Sequence, residues 1–172
     1  MRRLALVGVG LVFLAAGVVA LVFSGASQPA TTELTEEQKA EIAAEVDSVM
    51  NEWWTVWSTA LDYDRGMSFF LDEPETAWAD DGQVYYTATV IDETFRPFFA
   101  GLQRQDLTPI DSRTIVLTSD VVYTIRHNTI VAVDTAGNAG PEIRFAETIV
   151  WVKRNGEWKV LLGHGSIPPE SM

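Results

Sequence analysis

The residues best placed to do chemistry lie on the two sides of Asn155-Gly156, the strongest short signal for a two-residue β-hairpin turn in this sequence. If these two residues form the centre of the turn, counting outward along both strands places Glu147 directly opposite His164. Directly opposed residues share one face of a sheet. A carboxylate beside an imidazole raises the affinity of the imidazole for a proton, which suits a general acid or base. We therefore predict Glu147 and His164 as catalytic candidates. In the alternative interpretation, each serves only as the polar partner of the other and has no catalytic role.

Other catalytic and metal-binding patterns have little support. His127 is the only other histidine, and its position relative to His164 and Glu147 gives no paired-histidine spacing. The sequence contains no cysteine, no glycine-rich phosphate loop, no Gly-x-Ser-x-Gly turn and no His-Glu-x-x-His motif. We predict neither a metal site nor a cofactor.

The composition indicates a single acidic domain. The chain has 172 residues, with 24 Asp and Glu against 12 Lys and Arg, for a net charge of −12. This charge repels phosphate backbones, so nucleic acid is not a predicted partner. A content of 47% hydrophobic residues is enough to bury a core in a domain of this length.

The first residues have the pattern of a targeting segment. Arg2 and Arg3 precede an apolar run from Leu4 to Phe23, and small residues follow up to Ala26. Twenty apolar residues are long for a signal peptide and long enough to cross a bilayer. We predict a signal peptide or transmembrane anchor at 1–26, a linker at 27–34 and a folded domain at 35–172. The domain is expected to be extracytoplasmic, either secreted or periplasmic, or tethered to the membrane by residues 1–26 if these are retained.

The first half of the domain is predicted to be mainly helical. Thr35 and Gln38 have capping-box spacing, and apolar residues at intervals of three and four continue to about Asp62. A short second helix capped by Asp64, a strand at 83–86 and a third helix capped by Thr89 are expected to follow.

The second half changes to alternating β-branched residues from Leu107 onward and ends in two strands, 143–154 and 158–167, around the Asn-Gly turn. Helices followed by an uninterrupted antiparallel sheet predict an α+β fold. A strongly curved sheet against the long first helix buries both apolar faces and forms a half-barrel with a cavity.

The element order and the segment from Thr148 to Ser166, TIVWVKRNGEWKVLLGHGS, resemble the SnoaL-like domains of the nuclear transport factor 2-like superfamily. The resemblance implies a cone-shaped fold with a deep pocket, and often a homodimer formed through the outer face of the sheet. Members of the group include cyclases, dehydratases, isomerases and epoxide hydrolases, as well as proteins without known catalysis. The candidate ligand contacts are Trp57, Trp78, Tyr86, Tyr123 and Trp151.

Three functions are compatible with these patterns. The primary hypothesis is binding of a small apolar organic molecule in an enclosed pocket. The second is a lyase, isomerase or hydrolase that uses Glu147 and His164 as an acid-base pair. The third is a protein assembly domain that acts through its outer sheet face, with the interior filled by its own side chains.

Overall fold

The computed structural model of the protein describes residues 33–168. The predicted signal or anchor segment at 1–26 lies outside these residues, as does most of the predicted linker. Within residues 33–168, no helix combines the length and the apolar character needed to span a membrane.

The long first helix, α1, runs from Glu36 to Thr55 and begins at the predicted capping box. The Thr35 hydroxyl accepts a hydrogen bond from the Gln38 backbone N–H at 3.2 Å, and the Gln38 side chain accepts one from the Thr35 N–H at 2.9 Å. A π-helical segment, Val56–Ala60, then replaces regular helix up to Leu61, which adopts a left-handed conformation with φ 42°. The predicted helix is therefore present, but its last turn is wider than an α-helix.

The caps of the two shorter helices lie two residues before the predicted caps. Helix α2 spans Tyr63–Met67 and is capped by Asp62, whose carboxylate accepts a hydrogen bond from the Arg65 N–H at 3.1 Å. Helix α3 spans Ala88–Ala100 and is capped by Thr87. The predicted caps Asp64 and Thr89 instead lie inside the first turns of these helices.

Six strands form one sheet. In chain order they are β1 (Ala77–Asp80), β2 (Gln83–Tyr86), β3 (Leu102–Thr118), β4 (Val121–Asp134), β5 (Ile143–Arg154) and β6 (Glu157–Ser166). The spatial order is β2-β1-β6-β5-β4-β3, and β1 pairs with β6 in parallel while the other neighbours are antiparallel. Bulges bend β3, and the curved sheet packs against the helices without closing into a barrel. The predicted α+β half-barrel is confirmed.

The core lies between α1 and the concave face of the sheet. Val46, Met50 and Trp53 project from α1 and are at most 4% exposed. They pack with Ile149 and Trp151 from β5, which are completely buried. The Trp53 and Trp151 rings meet edge to face, with their centroids 5.9 Å apart. This packing fills one end of the concave side and leaves the other end open.

Candidate functional site

The open end of the concave side is a cavity of about 560 Å³ between the sheet and the helices. Its wall is mainly apolar and aromatic, and the polar side chains at it are Asp80, Asp81, Thr94, Gln105 and Glu147. The apolar lining comprises Trp53, Trp54, Trp57, Met67, Phe70, Trp78, Ile91, Phe95, Phe98, Phe99, Leu107, Ile130, Ile143, Phe145 and Ile167. Among these, Phe98, Ile143 and Ile167 are exposed and mark the mouth of the cavity.

Glu147 is the most deeply placed carboxyl group of the cavity, with only 4% of its surface exposed. Its Oε1 accepts a hydrogen bond from the Trp54 Nε1–H at 2.8 Å. Burial raises the pKa of Glu147 to about 7, while the Trp54 bond and the positive charge of Arg126 act in the opposite direction. A carboxyl group with this pKa exchanges its proton near neutral pH, as a general acid or base must.

Arg126 approaches Glu147 from the neighbouring strand, because the two residues are directly paired between β4 and β5. Its guanidinium lies over the Trp54 ring, 5.0 Å from the centroid, and its Nη2 donates to Asn51 Oδ1 at 3.1 Å. Partial burial lowers the pKa of Arg126. The arginine therefore stabilises the negative charge of Glu147 from a distance and is anchored to α1.

The predicted pairing of Glu147 with His164 is wrong. The strands pair as predicted from Arg154 to Trp151, but β6 then carries one extra residue, Leu161, before Val150 pairs with Leu162. This bulge shifts the register, so Glu147 pairs with Gly165. Because side chains alternate along a strand, His164 is turned to the opposite face of the sheet, where it is exposed.

The predicted ligand contacts separate into three groups. Trp57 and Trp78 line the cavity. Trp151 is completely buried in the core and does not reach the cavity wall. Tyr86 and Tyr123 lie on the outer face, in register with Leu162 and Val150 of that face, and so point away from the cavity, contrary to prediction.

Two features of the helices shape the aromatic wall. The π-helical segment leaves the Trp57 carbonyl free to accept a hydrogen bond from Gln105 Nε2 at 2.9 Å. The Trp57 ring lies against Gly66, where an added Cβ would be 2.4 Å from the ring. The position of Trp57 is thus fixed by a hydrogen bond to its backbone and by packing of its ring on Gly66.

Sequence reasoning missed Asp80, Gln105 and the phenylalanines of α3 as members of the site. Asp80 lies on β1, a strand that was not predicted, and burial raises its pKa with a further contribution from Asp81. The signals available were Gly163 and Gly165, because glycine inside a strand often marks a bulge or a close approach. An added Cβ at Gly163 would lie 2.1 Å from the Trp78 ring.

Comparison with known proteins identifies the fold. Residues 46–170 match the SnoaL-like domain. The chain is similar to a proposed scytalone dehydratase from Novosphingobium aromaticivorans, with TM-score 0.66, 7% identity, and coverage of 78% of this chain and 89% of that chain. The chain is also similar to a proposed dehydratase of the NTF2-like family from Streptomyces avermitilis, with TM-score 0.65, 14% identity, and coverage of 77% of this chain and 99% of that chain.

A third similar structure is the hexachlorocyclohexane dehydrochlorinase LinA-type3 from Novosphingobium barchaimii, with TM-score 0.63, 15% identity, and coverage of 78% of this chain and 92% of that chain. Identities this low establish a common fold and nothing about a shared reaction. Comparison with curated proteins finds no match.

Proposed function

Because the chain belongs to the SnoaL-like family of the nuclear transport factor 2-like superfamily, we propose that it binds a small, largely apolar organic molecule in the concave cavity. The observation that carries this proposal is the cavity itself. Its volume of about 560 Å³ lies within the range of small-molecule sites, and its apolar wall holds a few convergent polar groups. Such a surface favours ligands with an apolar body and one polar group.

The neutral probe N-phenyl-1-naphthylamine, which fluoresces in apolar sites, tests the proposal. We expect saturable binding by the purified protein. Thr94 lines the cavity, so Thr94→Phe should fill part of it and weaken binding at least tenfold. Val90, on the same helix, is exposed and outside the cavity wall, so Val90→Phe is the matched control. Equal binding by both variants and the unchanged protein would place the probe elsewhere and contradict the proposal.

A second candidate function is acid-base catalysis, as in a lyase or isomerase, and the pKa of about 7 at Glu147 supports it. Glu147 would act without His164, which lies on the other face. The base-catalysed ring opening of 5-nitrobenzisoxazole is a general test, because a base removes the C3 proton, the N–O bond breaks and a coloured phenolate forms. We expect a rate that rises with pH through about 7 and is lost in Glu147→Gln. A rate unchanged by this substitution would contradict the catalytic proposal.

The outer face of the sheet supports assembly as a homodimer. One row of paired residues crosses all six strands, and every member is apolar or aromatic: Tyr86, Ala77, Leu162, Val150, Tyr123 and Ile115. Tyr86, Leu162 and Ile115 are 65%, 41% and 41% exposed. A continuous exposed apolar row of this kind is typical of a protein-protein contact.

We also propose that the domain acts outside the cytoplasm. The support is the sequence of residues 2–26, with its paired arginines, apolar run and small residues. Expression of the full chain with a C-terminal tag, followed by cell fractionation and intact mass measurement, tests this. Recovery in an exported or membrane fraction is expected, and the mass separates cleavage near Ala26 from retention. Recovery of the uncleaved chain in the cytosol alone would contradict export.

A further inference from the structure

The charge at the cavity wall has one sign. Of the charged side chains in the described part of the chain, three carboxyl groups line the cavity, those of Asp80, Asp81 and Glu147, and no lysine, arginine or histidine does. Arg126 is paired with Glu147 across the sheet but is not part of the wall, and its guanidinium lies over the Trp54 ring. The charged groups that a ligand meets at this wall are therefore all acidic.

Glu147 has unused hydrogen-bonding capacity. Its Oε1 accepts the Trp54 N–H, and the structure shows no partner for Oε2 among residues 33–168. Arg126 directs its hydrogen bond to Asn51 instead of Glu147. A buried carboxylate strongly favours a counter-charge that donates hydrogen bonds to it. The cavity is the side from which such a group can approach.

Asp80 and Glu147 face the same space across a residue without a side chain. Gly165 of β6 pairs with Asp80 on one side and with Glu147 on the other. An added Cβ at Gly165 would be 3.0 Å from Asp80 Oδ1 and 3.1 Å from the Phe145 ring. The Asp80 carboxyl thus reaches over Gly165 towards the strand that carries Glu147. His164 also acts on Asp80, lowering its pKa, but its side chain belongs to the opposite face.

Most of the apolar side chains at the wall are aromatic. Four tryptophans and five phenylalanines line the cavity: Trp53, Trp54, Trp57, Trp78, Phe70, Phe95, Phe98, Phe99 and Phe145. Aromatic faces carry negative electrostatic potential and attract organic cations, most strongly when water is excluded. Such rings combined with buried carboxylates favour an ammonium ion on an apolar body over a neutral or anionic molecule of the same shape.

We infer that the ligand of this cavity is a small organic amine, bound as its ammonium ion by Glu147 and Asp80 with its apolar body among the aromatic rings. This inference rests on the proposed ligand-binding function and specifies the class of ligand. Trp54 of α1 donates a hydrogen bond to Glu147, and Arg126 of β4 is paired with it. Asp80 of β1 lies two strands away, across Gly165 of β6. Of these groups only Arg126 opposes the added cation, and its guanidinium is held over the Trp54 ring and bonded to Asn51.

Three ligands with the same phenylbutyl body test the inference: 4-phenylbutylamine, 4-phenylbutanol and 4-phenylbutanoate, titrated into the purified protein by calorimetry. At pH 8 we expect the amine to bind at least tenfold more tightly than the alcohol, and the carboxylate to bind most weakly. Because the amine requires ionised Glu147, its affinity should fall about tenfold between pH 8 and pH 6, while that of the alcohol stays constant.

Glu147→Gln should remove both the preference for the amine over the alcohol and the pH dependence of amine binding. Glu37→Gln, an exposed change on α1 that removes the same charge, is the control and should preserve both. Equal binding of amine and alcohol, or tighter binding of the carboxylate, would overturn this inference and leave the proposed function standing. Binding of none of the three at millimolar concentration would overturn both.

Discussion

Glu147 is a buried carboxyl group whose pKa is raised by its burial. An ordinary glutamate has a pKa near 4.5, and burial raises the pKa of Glu147 to about 7 despite the opposing hydrogen bond from Trp54. The folded protein therefore holds this proton more tightly than the unfolded chain does. It follows that the contribution of Glu147 to stability is fully present below about pH 4.5 and is lost as the pH rises to about 7.

Replacing Glu147 with glutamine removes this titration while keeping an oxygen that can accept the Trp54 hydrogen bond. We expect the free energy of unfolding of Glu147→Gln, relative to the unchanged protein, to rise by roughly 3 kcal/mol between pH 4.5 and pH 8. Urea denaturation at several pH values measures this difference. The exposed Glu37→Gln variant should show no comparable dependence on pH. If the difference in the free energy of unfolding between Glu147→Gln and the unchanged protein stayed constant with pH, the pKa of Glu147 would not be raised by folding.

Among the secondary-structure elements, the β5-β6 hairpin shows what sequence can and cannot predict. The Asn155-Gly156 turn and the pairs nearest to it were predictable, because both residues adopt the positive φ values, 53° and 85°, that this turn requires. The capping box of Thr35 was predictable for the same kind of local reason. The bulge at Leu161 was not, since the β6 residue two positions further on, Gly163, packs against Trp78 of β1, a strand distant in sequence.

That packing gives a test of the hairpin register. In Gly163→Ala, the new Cβ would lie 2.1 Å from the Trp78 ring, so either the ring or the strand must move. We expect a loss of about 1–3 kcal/mol in the free energy of unfolding, as for other overpacked sites. Gly101→Ala is the control, because its nearest neighbour would be 3.4 Å away. Equal stability of both variants, measured by thermal denaturation, would argue against the observed register.

The whole molecule separates its two candidate surfaces on opposite faces of one sheet. The concave face carries the acidic aromatic cavity, and the convex face carries the exposed apolar row from Tyr86 to Ile115. The extra residue of β6 at Leu161 shifts the strand register by one position. As a result, the side chains of Leu162 and His164 lie on the convex face, with Leu162 in the apolar row. Sequence alone predicted the fold and Glu147 as a site residue, but it assigned His164, which follows the bulge on β6, to the wrong face of the sheet.

The proposed homodimer is tested on the convex face. Leu162 lies in the middle of the apolar row and is 41% exposed, so Leu162→Arg should place a charge in the contact and yield a monomer. Val90→Arg changes an equally exposed residue on α3 and should leave the dimer intact. Light scattering after size-exclusion chromatography measures the mass of each form. A dimer that survives Leu162→Arg would exclude this face as the contact.

A crystal structure of the protein grown with N-phenyl-1-naphthylamine would show whether the concave cavity holds a small organic ligand. We predict electron density for the probe inside the cavity, among Trp53, Trp57 and Phe99. A cavity closed by its own side chains, with the probe bound only on the outer face of the sheet, would contradict the proposed ligand-binding function.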